Sequence, residues 1–158
     1  MGWRENMTLR LAEKRDLPQL LDFEQDLIAY ERAFAPQIKK GKIHYYDIGA
    51  YIERSDVCVV VAEHENQLIG SGYALIKPNK VYKNPSTIVY LGFMYVLPEF
   101  RGNGINGRII EYLVEWGKTL GHTEFQLDVY AENLHAIRAY HKMGFQSELL
   151  TMRFQTDT

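Results

Sequence analysis

Apolar positions recur along this chain with two different periods, and the alternation between them predicts its elements. Residues 1–7 read as a short lead, and Thr8 to Ala12 alternates as a first strand. Asp16 is placed to cap a helix, with Pro18 in its first turn. Leu17, Leu20, Leu21, Leu27 and Ile28 then share one helical face as far as about Tyr30. Residues 31–54 mix aromatic and charged positions, broken by Pro36 and Gly41, with a second short helix predicted over Tyr45 to Glu53. Val57 to Glu63 is a buried strand, His64 to Gln67 a turn and Leu68 to Ile76 the return strand, which makes an antiparallel hairpin. Residues 77–86 are polar, carry two prolines and read as a loop. Ile88 to Leu97 is apolar or aromatic apart from one glycine. It is too short to span a membrane, reads as a buried strand, and is stopped by Pro98. Ile109, Ile110, Leu113, Val114 and Gly117 share a face of a helix ending near Gly121. Phe125 to Tyr130 alternates again, Asn133 to Met143 is a short helix closed by Gly144, and Phe145 to Phe154 supplies a last strand.

The predicted order, β-α-α-β-β-β-α-β-α-β, is an α/β (α+β) pattern with an antiparallel first half, read as one domain over residues 8–158. A length of 158 residues suffices for one core without staples. Hydrophobic content of 46% and charged content of 24% are ordinary for a globular chain, and a net charge of −2 gives no reason to expect nucleic acid or an anionic membrane as partner. Cys58 is the sole cysteine, which excludes an intramolecular disulfide and fits a reducing compartment. The N-terminal MGWRENM has no apolar signal core, and Asn6 stands where a myristoylation motif wants Ser or Thr, so the expected location is cytoplasmic. No metal-binding spacing is visible, and the oligomeric state, monomer or homodimer, is left open.

The chemistry concentrates at Arg101-Gly102-Asn103-Gly104-Ile105-Asn106-Gly107, between the buried strand and the helix. A strand, a glycine-rich turn and a helix N-terminus form an anion site. The first helical N–H groups lack internal partners and the macrodipole adds partial positive charge. A phosphate-bearing ligand is therefore expected. Three readings compete. Gly102, Gly104 and Gly107 fit G-x-G-x-x-G, with Asp128 about 20 residues further on as a ribose-binding acid. Gly102 and Gly107 also frame G-x-x-x-x-G, but Arg108-Ile109 replaces the Lys-Ser/Thr of a P-loop. The third pattern is R-x-x-G-x-G/A, matched by Arg101 and Gly104, with Asn106 in place of the usual Gly or Ala. The antiparallel first half disfavours the dinucleotide reading, which needs repeated right-handed βαβ units.

A second stretch decides between them. Asn133, Ala136, Tyr140, Gly144 and Phe145 match N-x-x-A-x-x-x-Y-x-x-x-G-F at every named position. With the Arg101–Gly107 loop, this stretch resembles the signatures of the GNAT N-acetyltransferases, and the likeness covers roughly Thr8 to Phe154. The resemblance implies a mixed, mostly antiparallel sheet whose fourth and fifth strands splay apart, with acetyl-coenzyme A lying in the gap as co-substrate. It implies that the backbone N–H groups of Arg101, Gly102, Asn103, Gly104, Ile105, Asn106 and Gly107 hold the pyrophosphate. Main-chain groups of Met94, Tyr95 and Val96 would pair with the pantetheine arm, and one would polarise the thioester carbonyl. Asn133 would be a further cofactor contact. Tyr140 would be the general acid that protonates the leaving thiolate.

The implied reaction is direct attack of a neutral amine on the thioester. The predicted fourth strand carries no carboxylate, so the base is a water chain or one of Glu24, Glu31, Tyr90 and Asp128. Glu24 falls in the middle of the first helix's apolar face, where a charge must be paired or line a cavity. Cys58, within a run of valines, reads as an inert core thiol. Tyr30, Phe34, Tyr45, Tyr46 and Tyr51 cluster where the family covers its acceptor. A small amine, an antibiotic, a polyamine or a protein amino group all remain open as acceptors. The different class to weigh is a non-catalytic acyl-coenzyme A-sensing domain.

Overall fold

The structure is a computed structural model and describes residues 6–157. The first five residues of the expected lead lie outside the described part, and Met7 is already buried. Five strands form one sheet in the order β1 (Thr8–Leu11), β2 (Val57–His64), β3 (Gln67–Pro78), β4 (Thr87–Val96) and β5 (Phe125–Gln126). The first three pairings are antiparallel and the last is parallel. The helices are α1 (Leu17–Glu31), α2 (Ile48–Glu53), α3 (Ile105–Thr119) and α4 (Leu134–Lys142). The chain forms two compact units, one through Asp128 and one from Val129 onward.

Strand β2 is apolar at successive positions because both faces of the sheet are covered. Val57, Val59 and Val61 join Leu20, Phe23 and Tyr73 in the core under α1 and α2. The opposite face receives α3, whose Ile109 lies so close to β3 that a Cβ on Gly72 would stand 2.7 Å from its Cγ2. At Ser71/Tyr73 the β3–β4 register slips, and Phe93 takes a left-handed φ of 57°. This is a β-bulge on β4, and it bends the strand. Ser71 Oγ, fully buried, donates to the Phe93 carbonyl at 3.1 Å and fixes the bulge.

Strand β5 pairs with β4 at Val89↔Phe125 and Tyr90↔Gln126 and nowhere else, so the two strands part before the bulge. That is the splay expected between the fourth and fifth strands. Other expectations shift. The fifth strand ends four residues before Tyr130. Residues 145–154 form no strand: their unit contains α4 but no other strand, and an isolated strand is not stable without a ladder partner. Strand β3 runs on to Pro78, two residues into the expected loop. The Asp16 side chain does not cap α1. It accepts from the Glu13 N–H at 2.7 Å and from the Arg10 guanidinium at 2.8 and 2.9 Å, closing a 3-10 turn over Lys14–Asp16.

Candidate functional site

The glycine-rich turn leaves β4 through a 3-10 turn at Pro98–Phe100. Gly102 and Gly104 have φ of 78° and 80°, and a Cβ on either would meet nothing within 4 Å. Glycine is thus required there by the backbone, not by crowding. Asn103 Nδ2 donates to the carbonyls of Phe100 at 3.0 Å and Arg101 at 3.1 Å and holds the turn closed. Buried Ile105 anchors the helix start. The first helical bond runs from Arg108 N to the Gly104 carbonyl at 3.1 Å, so the N–H groups of Ile105, Asn106 and Gly107 precede the ladder and lie at the positive end of α3. The Asn106 Oδ1 is buried without a hydrogen-bond partner among the described residues.

Beside this turn, β4 presents its far edge. Leu97 N–H bonds to the Ile69 carbonyl on β3 at 2.9 Å, so strand alternation turns the main-chain groups of Met94 and Val96 away from β3. Tyr95, paired with Ser71, faces β3 with its main chain. The Val96 carbonyl accepts from Arg101 Nε at 2.8 Å. The Arg101 guanidinium stands 5.8 Å from the Tyr30 ring centroid and 5.6 Å from that of Tyr95. Tyr95 in turn donates its hydroxyl to Asp26 at 3.0 Å, and burial together with that carboxylate pushes its pKa up to about 12. The first residue of the loop is therefore clamped to α1 and β4 by its side chain.

The four possible bases are placed differently. Glu24 is fully buried and accepts from the N–H groups of Tyr45 at 2.8 Å and Tyr46 at 2.9 Å, with His44 Nδ1 at 2.7 Å. It holds the segment before α2 against α1, and no Lys or Arg pairs with it among the described residues. Tyr90 donates its hydroxyl to Asp128 at 3.0 Å, and burial with the charge of Asp128 drives its pKa well above the usual phenol range, which disfavours it as a base. Glu31 is half-buried; burial raises its carboxyl above the ordinary value, and the Tyr45 hydroxyl offsets part of that rise. Asp128 lies exposed at the mouth of the splay. Cys58 is buried, and burial pushes its thiol up to about 11.

In the second unit, Asn133 caps α4, its Oδ1 accepting from Ala136 N at 3.3 Å, which leaves its amide nitrogen as a donor. Tyr140 is half-buried with its ring edge-on to Phe145 at 5.8 Å. Sequence reasoning missed the bulge at Phe93, the Arg101 clamp, and the inward Tyr73. The glycine at position 92, in the middle of an apolar strand, is the signal that marks such a bulge. Among the described residues no helix is long and apolar enough to cross a membrane, and no group of three His, Cys, Asp or Glu side chains gathers to hold a metal.

A family model described as acetyltransferase (GNAT) family matches residues 20–145. Over 58 residues the chain is 38% identical to thialysine N-epsilon-acetyltransferase of Mus musculus, a match covering 37% of this chain and 34% of that protein. The chain thus spans about a third of that relative's length. It is 25% identical over 109 residues to spermine/spermidine N(1)-acetyltransferase of Bacillus subtilis (strain 168), covering 61% of this chain and 72% of that one. The fold is similar to a predicted acetyltransferase with acetyl-CoA from Clostridium acetobutylicum, with a TM-score of 0.71 and 22% identity over 94% of this chain and 96% of that one.

Proposed function

The chain belongs to the acetyltransferase (GNAT) family, and from that premise we propose that it transfers the acetyl group of acetyl-coenzyme A to an amine. The observation that carries this reading is the juxtaposition of a glycine turn opening α3 with the β4 edge from which β5 departs. The N–H groups from Gly102 to Gly107 hold the pyrophosphate at the positive end of α3, while that of Arg101, also expected there, is taken by the Pro98 carbonyl at 3.2 Å. Met94 and Val96 offer main-chain groups to the pantetheine arm as an added strand would, with Tyr95 between them. Asn133 contributes its amide nitrogen to the cofactor.

The neutral amine nitrogen attacks the thioester carbonyl carbon, the C–S bond breaks, and the nitrogen gives up a proton to water, from which the Tyr140 phenol is restored. An amide N–H of β4 stabilises the oxyanion. Tyr140 hydrogen-bonds the leaving thiolate and passes it a proton; the match of its signature supports this, and a phenol stays protonated at neutral pH and so is able to donate. The acceptor is a small amine, a class supported by the names of both relatives.

Two measurements test the reading. Acetyl-coenzyme A at about 100 times its Kd adds about 2.7 kcal/mol of apparent stability, seen as a higher Tm, whereas a nicotinamide dinucleotide adds none. An acceptor panel read by free thiol release then separates an enzyme from a sensing domain. Thermal stabilisation without thiol release from any amine would leave the sensing domain as the answer.

A further inference from the structure

The face of the sheet beneath α1 and α2 carries an unbroken row of tyrosine rings. Tyr45 and Tyr46 have centroids 5.6 Å apart, Tyr46 and Tyr73 5.2 Å, and Tyr73 and Tyr90 6.4 Å. Tyr73 forms the floor at 4% exposure, while Tyr45, Tyr46 and Tyr90 are half-buried. A carboxylate stands at each end. Glu31 interacts with the Tyr45 hydroxyl and its charge reaches Tyr46. Asp128 accepts from the Tyr90 hydroxyl at 3.0 Å, and its charge also reaches Tyr73. Between these ends the row passes the bulge, since the Tyr46 ring lies 5.4 Å from that of Phe93.

Aromatic faces attract ammonium groups, and carboxylates pair with them. The molecule supplies its own example: Lys77 Nζ sits 4.5 Å from the Tyr90 ring centroid. A wall that is aromatic in the middle and anionic at both ends is complementary to a ligand with an aliphatic middle and a cation at each end. A monoamine leaves one carboxylate unmatched, and an anionic or neutral acceptor leaves both. Resting on the acetyl-transfer reading above, we propose that this row is the acceptor groove and that it selects molecules carrying two amino groups, one directed to Glu31 and the other to Asp128.

The test measures binding independently of turnover. Calorimetry of the full chain with coenzyme A compares 1,5-diaminopentane with pentylamine, which has the same carbon chain and one cation. The diamine is expected to bind about tenfold more tightly, from one additional ion pair and ring contact. Glu31→Gln and Asp128→Asn each reduce the diamine to about the level of pentylamine, since each leaves one carboxylate for one cation. Glu111→Gln, an exposed carboxylate on α3, leaves the preference intact. Lys77→Met removes the resident cation from Tyr90 and tightens the diamine, a direction that loss of structure does not produce. Equal affinity for the two amines, absence of binding by either, or a preference that survives both carboxamide variants would overturn the groove. Thiol release, measured separately on the same protein, reports on the acetyl-transfer reading alone.

Discussion

Arg101 donates its Nε–H to the Val96 carbonyl at 2.8 Å, five residues back across the turn that leaves β4. The loop's first side chain is thus bound to the strand edge and stacked beside Tyr30 and Tyr95. Arg101 therefore sets the loop's position through its side chain, and its main chain is held as well, the N–H by the Pro98 carbonyl at 3.2 Å and the carbonyl by Asn103 Nδ2 at 3.1 Å. Replacing it by lysine keeps the charge but loses the planar stacking and the Nε donor. Arg101→Lys and Arg101→Ala are both expected to weaken acetyl-coenzyme A by about tenfold, with at most about 1 kcal/mol lost in urea unfolding. A lysine variant with wild-type affinity would mean that charge alone matters at this position.

Gly104 has open space around its missing Cβ but a φ of 80°. The cost of a side chain is therefore backbone strain, about 1–2 kcal/mol for alanine. Asparagine tolerates the left-handed region better. Urea unfolding should rank the proteins as glycine, then Gly104→Asn, then Gly104→Ala. The reverse order of the two variants would show that crowding governs the position.

Glu24 satisfies two backbone N–H groups and a histidine from a fully buried position. Glu24→Ala strips those donors of their acceptor and leaves a cavity, for an expected loss of about 3 kcal/mol or more. Glu24→Gln retains one acceptor oxygen and should fall between the two. Wild-type stability in the alanine variant would mean that water takes over the amides of Tyr45 and Tyr46.

Cys58 gives a pH-dependent expectation. Burial raises its thiol from 9.0 to about 11, so the folded chain keeps a proton that the unfolded chain begins to lose above pH 9. The stabilisation is complete below that pH and declines between about 9 and 11. Relative to Cys58→Ala, the wild-type chain should lose about 1 kcal/mol in urea unfolding between pH 8 and pH 10. A thiol reagent at pH 8 should label it only after unfolding.

The sheet was legible because its signals are local. The β2–β3 hairpin, the apolar β4 and the glycine turn are each written in consecutive residues, and the structure moves their ends by only one to two positions. Strand β5 was overextended because alternation in Phe125–Tyr130 reports what a segment can do, whereas a ladder requires a partner. The same holds for residues 145–154. Glu24 was legible as a buried charge but not in its partners, which come from about 20 residues away and are a histidine and two backbone amides, the latter invisible to pattern reading. Arg101 appeared in the sequence as a loop residue. That its guanidinium turns back onto Val96 depends on the turn's three-dimensional path.

The strand glycine at position 92 offers the sharpest test of how the tyrosine floor is built. A Cβ there would lie 2.6 Å from both Cζ and the hydroxyl oxygen of Tyr73, so the ring rests directly on the glycine. Gly92 is absent from the left-handed positions, so alanine fits its backbone and any penalty must come from the ring. Tyr73 is enclosed by Tyr46 and Tyr51 and has little freedom to withdraw. Gly92→Ala is therefore expected to cost about 1–3 kcal/mol, as overpacking does. Tyr73→Leu removes the colliding end of the ring at its own cost, and adding Gly92→Ala to that background should then cost little. The double variant should be about 1–2 kcal/mol more stable than the sum of the single effects predicts. Urea unfolding of the four proteins supplies the cycle. Strict additivity would mean that Gly92 is required for the path of β4 into its bulge and not for the seat of Tyr73.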